Sequence, residues 1–494
     1  MSMTIRCRPH RSPVTARPPS LRRRRLAPRA LAFLLALAAL AAPAAPASAK
    51  QYNLTELVEL AKKSNPGLAA GQQQTAQVEA QLHEANRSWL PSGDLLTLLA
   101  PAPEIRCIPE LGTVADPGET PGSTEFRQNH CARTNVSEAT LNLKGIFTRT
   151  EVHLVQPIYT FGKISAGREA AKAGIAASRN REQALAAELE LNIRKAYWGL
   201  KLAREIQETI KDGIEYLDKA QERVQKELAA GKGSTTPVDR LRLNSVRADV
   251  DARVLEAEKL GRIAASGLRA LLGPDAPADV DVDDEPLEAL EVPKRQLEEY
   301  HQQARISRPE VLALDHLLVS KRALGELEKR KQYPDLVLMG SATFAYTSTI
   351  DNPQNAFYND PFNQSSVAAA LGLRLPLDIG VRHARAEKVL AEAEESYHRR
   401  REALAGIYFE VDRAYADLAE AQGRHQVMQR GEKTGRAWVT TVAQNFAAGL
   451  AETKDFTDAL VTSFTFRIRN LQSIFDLNVA AATLGRAVGA DVSR

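Results

Sequence analysis

After residue 49 no stretch approaches 18 consecutive apolar residues, which excludes membrane-spanning helices. If this chain enters a lipid bilayer, it does so with strands. Aromatic residues make up only 5% of the sequence, while Ala, Leu, Glu, Arg and Lys dominate. That balance points to long helices or coiled coils rather than a compact core, although a hydrophobic fraction of 44% still allows ample packing. Catalytic signatures are missing as well. The nine His are scattered with no His-Glu-x-x-His pair and no Cys/His cluster. Gly162-Lys163 and Gly231-Lys232 lack the earlier glycine of a phosphate loop, and no Gly-x-Ser-x-Gly elbow occurs. The sequence therefore predicts no enzyme, no cofactor and no resident metal.

Residues 1–49 read as an export signal rather than as part of the fold. Arg22 to Arg25 precede an Ala/Leu-rich run from Ala30 to Ala42, and Ala47-Ser48-Ala49 is a small-x-small cleavage site. This segment holds nine of the 65 basic residues and none of the 61 acidic ones, so the remainder carries 56 against 61 and a net charge of −5. A nucleic-acid partner is thereby disfavoured. Of the three cysteines, Cys7 lies in the leader. Cys107 and Cys131 remain, an even pair in a chain bound for an oxidising compartment. No Cys stands at the leader's cleavage site, where Lys50 follows Ala49, so no lipoprotein anchor is expected.

The rest of the chain is written twice. Pro66 and Pro91 bracket one helical segment and Pro309 and Pro334 another, each pair 25 residues apart. Pro157-Ile-Tyr-Thr-Phe-Gly162 matches Pro376-Leu-Asp-Ile-Gly380, and Leu228-Ala-Ala-Gly231 matches Phe446-Ala-Ala-Gly449, with glycine spacings of 69 in both copies. The offset between copies falls from 243 to 218, so the first copy carries about 25 extra residues between Pro91 and Pro157. Both remaining cysteines sit in that Pro/Gly-rich excess, which predicts a loop insertion stapled by a Cys107–Cys131 disulfide.

Each copy reads helix, strand, loop, strand, long helical hairpin. The first repeat spans 50–272, with strands at about 91–99 and 141–160 and a hairpin at about 163–272. The second spans 296–486, with strands at about 334–347 and 366–380 and a hairpin at about 381–486, before a tail at 487–494. Leu371, Leu373, Leu375, Leu377 and Ile379 alternate with less apolar neighbours, a period of two; only the strand after Pro91 lacks a clear period. Four strands cannot close a barrel, and lipid tolerates only closed ones, so membrane insertion would need several copies. From Lys163 to Ala230 no proline interrupts the helix, and Ile210, Ile214, Leu217, Val224 and Leu228 form a narrow coiled-coil seam with Gln221 in the missing place. Gly231 and Gly449 mark the hairpin tips. Residues 273–295 form an acidic linker. Its Asp279, Asp281, Asp283 and Asp284 lack the glycine and glutamate of a calcium loop, Asp284 and Leu290 standing there. A solvated connector is expected instead.

With these features in place, the chain resembles the TolC-like outer membrane efflux proteins. The phrases that carry the likeness are Leu154-Val-Gln-Pro-Ile-Tyr-Thr-Phe-Gly162, Arg308-Pro-Glu-Val-Leu312, Tyr333-Pro-Asp-Leu336 and Leu371-Gly-Leu-Arg-Leu-Pro-Leu377, and their order covers nearly the whole chain after the leader. The resemblance implies a mainly α protein with a membrane β-barrel portion: a homotrimer with one twelve-stranded barrel in outer-membrane lipid above a periplasmic α-helical tunnel. It implies a passive export conduit of a tripartite efflux or type I secretion system. The partners would be a periplasmic adaptor and an inner-membrane transporter of the RND, ABC or MFS type. It also implies a gate at the second tip, where Phe446, Asp455 and Asp458 fall on the family's aromatic and acidic places, while Ala451 replaces the expected basic residue. In the first copy Pro237 stands six places after the tip glycine, and Asp239 is a nearby acidic candidate. The competing expectation is an exported periplasmic adaptor or coiled-coil scaffold without a barrel, which would carry one hairpin rather than two.

Overall fold

A computed structural model describes residues 50–134, 143–231, 235–277, 280–352 and 360–492. The leader expected at 1–49 and Asp279 lie outside the described residues. The order of elements is β1 (Lys50–Tyr52), α1 (Leu54–Ser64), α2 (Pro66–Arg87), β2 (Ser92–Pro103), β3 (Cys107–Ile108), α3 (Thr124–Asn129), β4 (Arg133–Thr134), β5 (Leu143–Tyr159), α4 (Lys163–Ala230), α5 (Pro237–Leu272), β6 (Val280–Val282), α6 (Leu297–Ser307), α7 (Pro309–Arg330), β7 (Asp335–Thr347), β8 (Gln364–Arg374), α8 (Ile379–Ala447) and α9 (Thr453–Val488).

The duplication is visible in the helix lengths. Apart from the six-residue α3 of the inserted loop, the first repeat has helices of 11, 22, 68 and 36 residues, and the second has 11, 22, 69 and 36. Pro66 and Pro309 start the second helix of each set, and the residue before each is extended, with ψ near 120°. Proline forces that geometry by clashing with a helical predecessor. Asn65 then caps the new helix by accepting from the Leu68 amide at 3.0 Å. At about 1.5 Å per residue, α4 and α8 are each on the order of 100 Å long.

Strands β2, β5, β7 and β8 form one antiparallel sheet in that order. The two repeats meet at the central β5–β7 pair, and β2 and β8 are left as open edges. The last strand stops at Arg374 rather than near residue 380, because Pro376 has no amide to donate to a ladder, and α8 starts at Ile379. The strand after Pro91 runs on to Pro103.

Chains of apolar side chains hold the helices side by side. Below the sheet, Leu57, Leu189, Ile193, Trp198 and Leu272 centre one core, and Tyr300, Val411, Leu477 and Leu484 centre its counterpart in the second repeat. Farther along, Ile206, Ile210 and Ala257 continue the seam within the first hairpin. Near the tips, Leu217, Val224 and Leu243 pack directly on Phe456 and Leu460 of the second hairpin.

The acidic segment between repeats is not a solvated connector. Val280 and Val282 are buried, and β6 pairs in parallel with β1. Asp283 meets buried Lys201 and accepts from the Tyr197 hydroxyl at 2.7 Å, while Arg204 bridges Asp281 and Asp284. The alternation Val-Asp-Val-Asp is a strand with a dry side and an ion-paired side. Burial first, and then the Asp283 carboxylate, push the Tyr197 phenol well above its ordinary range, so it stays a donor.

Candidate functional site

The sheet register sorts the strand residues into two faces. On one face lie Leu95, Thr97 and Leu99 of β2, Thr148, Thr150, Val152 and Leu154 of β5, Leu338, Gly340, Ala342 and Phe344 of β7, and Val367, Ala369, Leu371 and Leu373 of β8. None is charged. Its polar groups are neutral, including threonine hydroxyls, Gln156, Tyr346 and Ser365, and Thr97 and Thr150 bond each other at 3.2 Å. The other face presents Asp94, Arg149, Glu151, His153, Ser341, Thr343 and Ser366 among small or apolar neighbours. Leu99 is 76% exposed, Val367 86% and Leu371 67% in the single chain. An uncharged, exposed surface of this kind is what a lipid-facing strand set requires, and water would not tolerate it.

At one end of the sheet the two inter-strand loops interlock. Cys107 and Cys131 are joined by a disulfide, and β3 pairs with β4 beside it. Asp351, from the second repeat's loop, has a side chain only 2% exposed. It accepts from Arg127 Nε at 3.0 Å, Arg106 Nη1 at 3.3 Å and the Cys107 amide at 3.1 Å. Burial raises its proton affinity, but the Arg127 contact, the Cys107 amide and Arg106 outweigh that and hold the carboxyl below its usual range.

At the opposite end of the molecule lie the hairpin tips. Gly231 and Gly449 both have positive φ, 62° and 78°, the left-handed turn that glycine adopts without strain. Asp239 closes a capping box, accepting from the Thr236 amide at 2.8 Å and the Thr236 hydroxyl at 2.7 Å. Burial opposes its ionisation, but these bonds, Arg242 and a bond from Thr453 lower its pKa overall. Phe446 stacks on Phe456, with centroids 4.8 Å apart and planes at 16°, and the Arg223 guanidinium lies 5.0 Å from the Phe446 ring centre. Asp455 and Asp458 are exposed on the first turns of α9 and make no ion pair or hydrogen bond among the described residues.

Residues 300–490 match the sequence model of a family described as "Outer membrane efflux protein". That segment, most of the second repeat, is similar to this family. No curated protein sequence matches it, but solved structures do. The outer-membrane channel OprN matches with a TM-score of 0.66 at 17% identity, covering 89% of this chain and 91% of that one. The Campylobacter jejuni CmeC outer membrane channel gives 0.66 at 15% identity, covering 88% and 85%. The open-state Neisseria gonorrhoeae MtrE channel gives 0.65 at 17%, covering 89% of each. These likenesses extend the shared fold to the first repeat, outside the matched segment.

The tip residues inferred from the resemblance fall into two groups. Phe446 and Asp239 take part in contacts between the hairpins, whereas Asp455 and Asp458 face outward and free. Two residues were missed. Arg223 brings a cation to Phe446 from the other hairpin, although the sequence places it only as a surface position of a coiled coil. Asp351 lies more than 200 residues from its partners, and no local pattern marks it.

Proposed function

We propose that three copies of this chain pool their strands into one twelve-stranded barrel and their hairpins into a periplasmic tunnel, forming the passive exit duct of a tripartite efflux system. The carrying observation is the four-stranded sheet with an uncharged face and two open edges, β2 and β8. Unpaired ladder groups in lipid would each cost several kcal/mol, and closure on neighbouring copies removes that cost. The duct does no chemistry: energy would come from an inner-membrane transporter of the RND, ABC or MFS type, reached through a periplasmic adaptor. Two long hairpins and a lipid-suited sheet disfavour the reading of the chain as itself an adaptor. Native mass spectrometry in detergent is expected to give a trimer, and a stable folded monomer at low concentration would refute the assembly.

The periplasmic mouth is assigned to the second tip. Three copies each of Asp455 and Asp458 would present six carboxylates at a narrow opening, concentrating cations there. Arg223, stacked on Phe446, supplies a cation at the tip where Ala451 offers none. Asp455→Ala combined with Asp458→Ala should reduce cation selectivity and block by multivalent cations in planar bilayers. Unchanged selectivity and block would assign both acids to the helix N-terminus alone.

A further inference from the structure

We propose that Asp116, Glu119 and His130, in the loop inserted between β2 and β5, form a binding site for a divalent transition metal of the zinc class. Their donor atoms all lie within 4.8 Å of one another. His130 Nε2 stands 3.0 Å from Glu119 Oε2 and 3.9 Å from Asp116 Oδ2. Zinc sits about 2.0–2.2 Å from imidazole nitrogen and carboxylate oxygen, so an ion fits between these atoms once the exposed Asp116 carboxylate moves slightly. One imidazole and two carboxylates neutralise a divalent ion and leave coordination positions open to water. The imidazole favours zinc-like metals over calcium or magnesium, which select oxygen donors.

The donors are held in place by their surroundings. Glu119, with a side chain 10% exposed, accepts from the Asn129 amide group and from the Asp116 backbone amide at 3.1 Å. The Asn129 bond, the His130 contact and the Asp116 amide keep its carboxyl below the usual range. The His130 ring packs on Phe126, with centroids 4.9 Å apart, and its backbone caps α3 by donating to the Phe126 carbonyl. The next residue, Cys131, is anchored by the disulfide. Support of this kind around ligand side chains is what fixes a metal site's geometry. The site is local to this loop and does not depend on the assembly proposed above.

The test is calorimetric titration of the full-length, chelator-stripped, disulfide-intact protein with Zn2+ alone. One saturable ion per chain is expected at this site. His130→Ala and Glu119→Gln should each weaken it about tenfold or more, and a hundredfold excess of Ca2+ should not displace it. Non-reducing mass spectrometry of each variant, showing the Cys107–Cys131 bond intact, separates ligand loss from loop unfolding. No saturable zinc binding, binding unchanged by both variants, or ready displacement by Ca2+ would overturn the proposal and leave a Glu119–His130 hydrogen bond only.

Discussion

Replacing Asp351 with Asn keeps the shape of the side chain and removes the charge that joins the two outer loops. Breaking a buried ion pair costs about 3–5 kcal/mol. Here Arg106 and Arg127 are 41% and 23% exposed and regain water when released, so about 2 kcal/mol is the expected loss. At 1.4 kcal/mol per tenfold that is roughly a 30-fold increase in opening. Hydrogen–deuterium exchange followed by mass spectrometry reads it directly, because the Cys107 amide donates to Asp351. Exchange should accelerate together in residues 104–134 and in the segment around Asp351. The Asp351 pKa is lowered in the folded loops, so its contribution is complete above the unfolded value of about 3.9 and is lost as pH falls through the folded value. Wild-type protection should therefore hold from neutral pH down to about 5 and decline below about 4, a step absent from the variant. Acceleration in one loop only, or none, would refute the reasoning.

Two substitutions test the joints and seam. Gly162→Ala should lower stability by about 2 kcal/mol, combining left-handed strain with loss of the Arg330 bond to the Gly162 carbonyl at 3.0 Å; an added Cβ would collide with the Arg330 guanidinium. Gly380→Ala, in open space, should be neutral or stabilising, and thermal unfolding in detergent compares the pair. Leu243→Ala empties a fully buried place in the tip cluster, and a cost of about 2–5 kcal/mol should appear as faster hydrogen exchange at both tips with none at the sheet.

The helical frame was legible because its punctuation is strong. Prolines at 66 and 309 and glycines at 231 and 449 act locally, through φ and the missing amide, so spacing alone reveals the repeat. Strand β8 was legible in place but not in length: Leu371 and Leu373 lie in it, whereas Leu375, Leu377 and Ile379, which continue the same period, follow its end. Strand β2 was not legible, because Leu95-Leu96 and Leu98-Leu99 put leucine on both faces and erase the period. The 273–295 segment misled for the opposite reason: its aspartates drew attention while the intervening valines made the strand. Asp351, Arg223 and the Asp116, Glu119 and His130 trio depend on contacts between distant segments or on loop folding. Asp116-x-x-Glu119 followed eleven residues later by His130 carries too little pattern to stand out in a loop.

The central claim is that one face of the sheet meets lipid and the other does not. Ala368 and Ala369 are adjacent, identical and on opposite faces, paired with Ser341 and Gly340 respectively. Arginine on a lipid-facing strand position near mid-membrane costs about 2–4 kcal/mol per copy, and a trimer would bear that three times. The decisive measurement is membrane assembly of Ala369→Arg beside Ala368→Arg, read by carbonate-resistant fractionation and native mass spectrometry. The account predicts that Ala369→Arg fails to assemble while Ala368→Arg forms the normal oligomer with conductance shifted toward anions. Equal tolerance of both, or failure of Ala368→Arg alone, would contradict it.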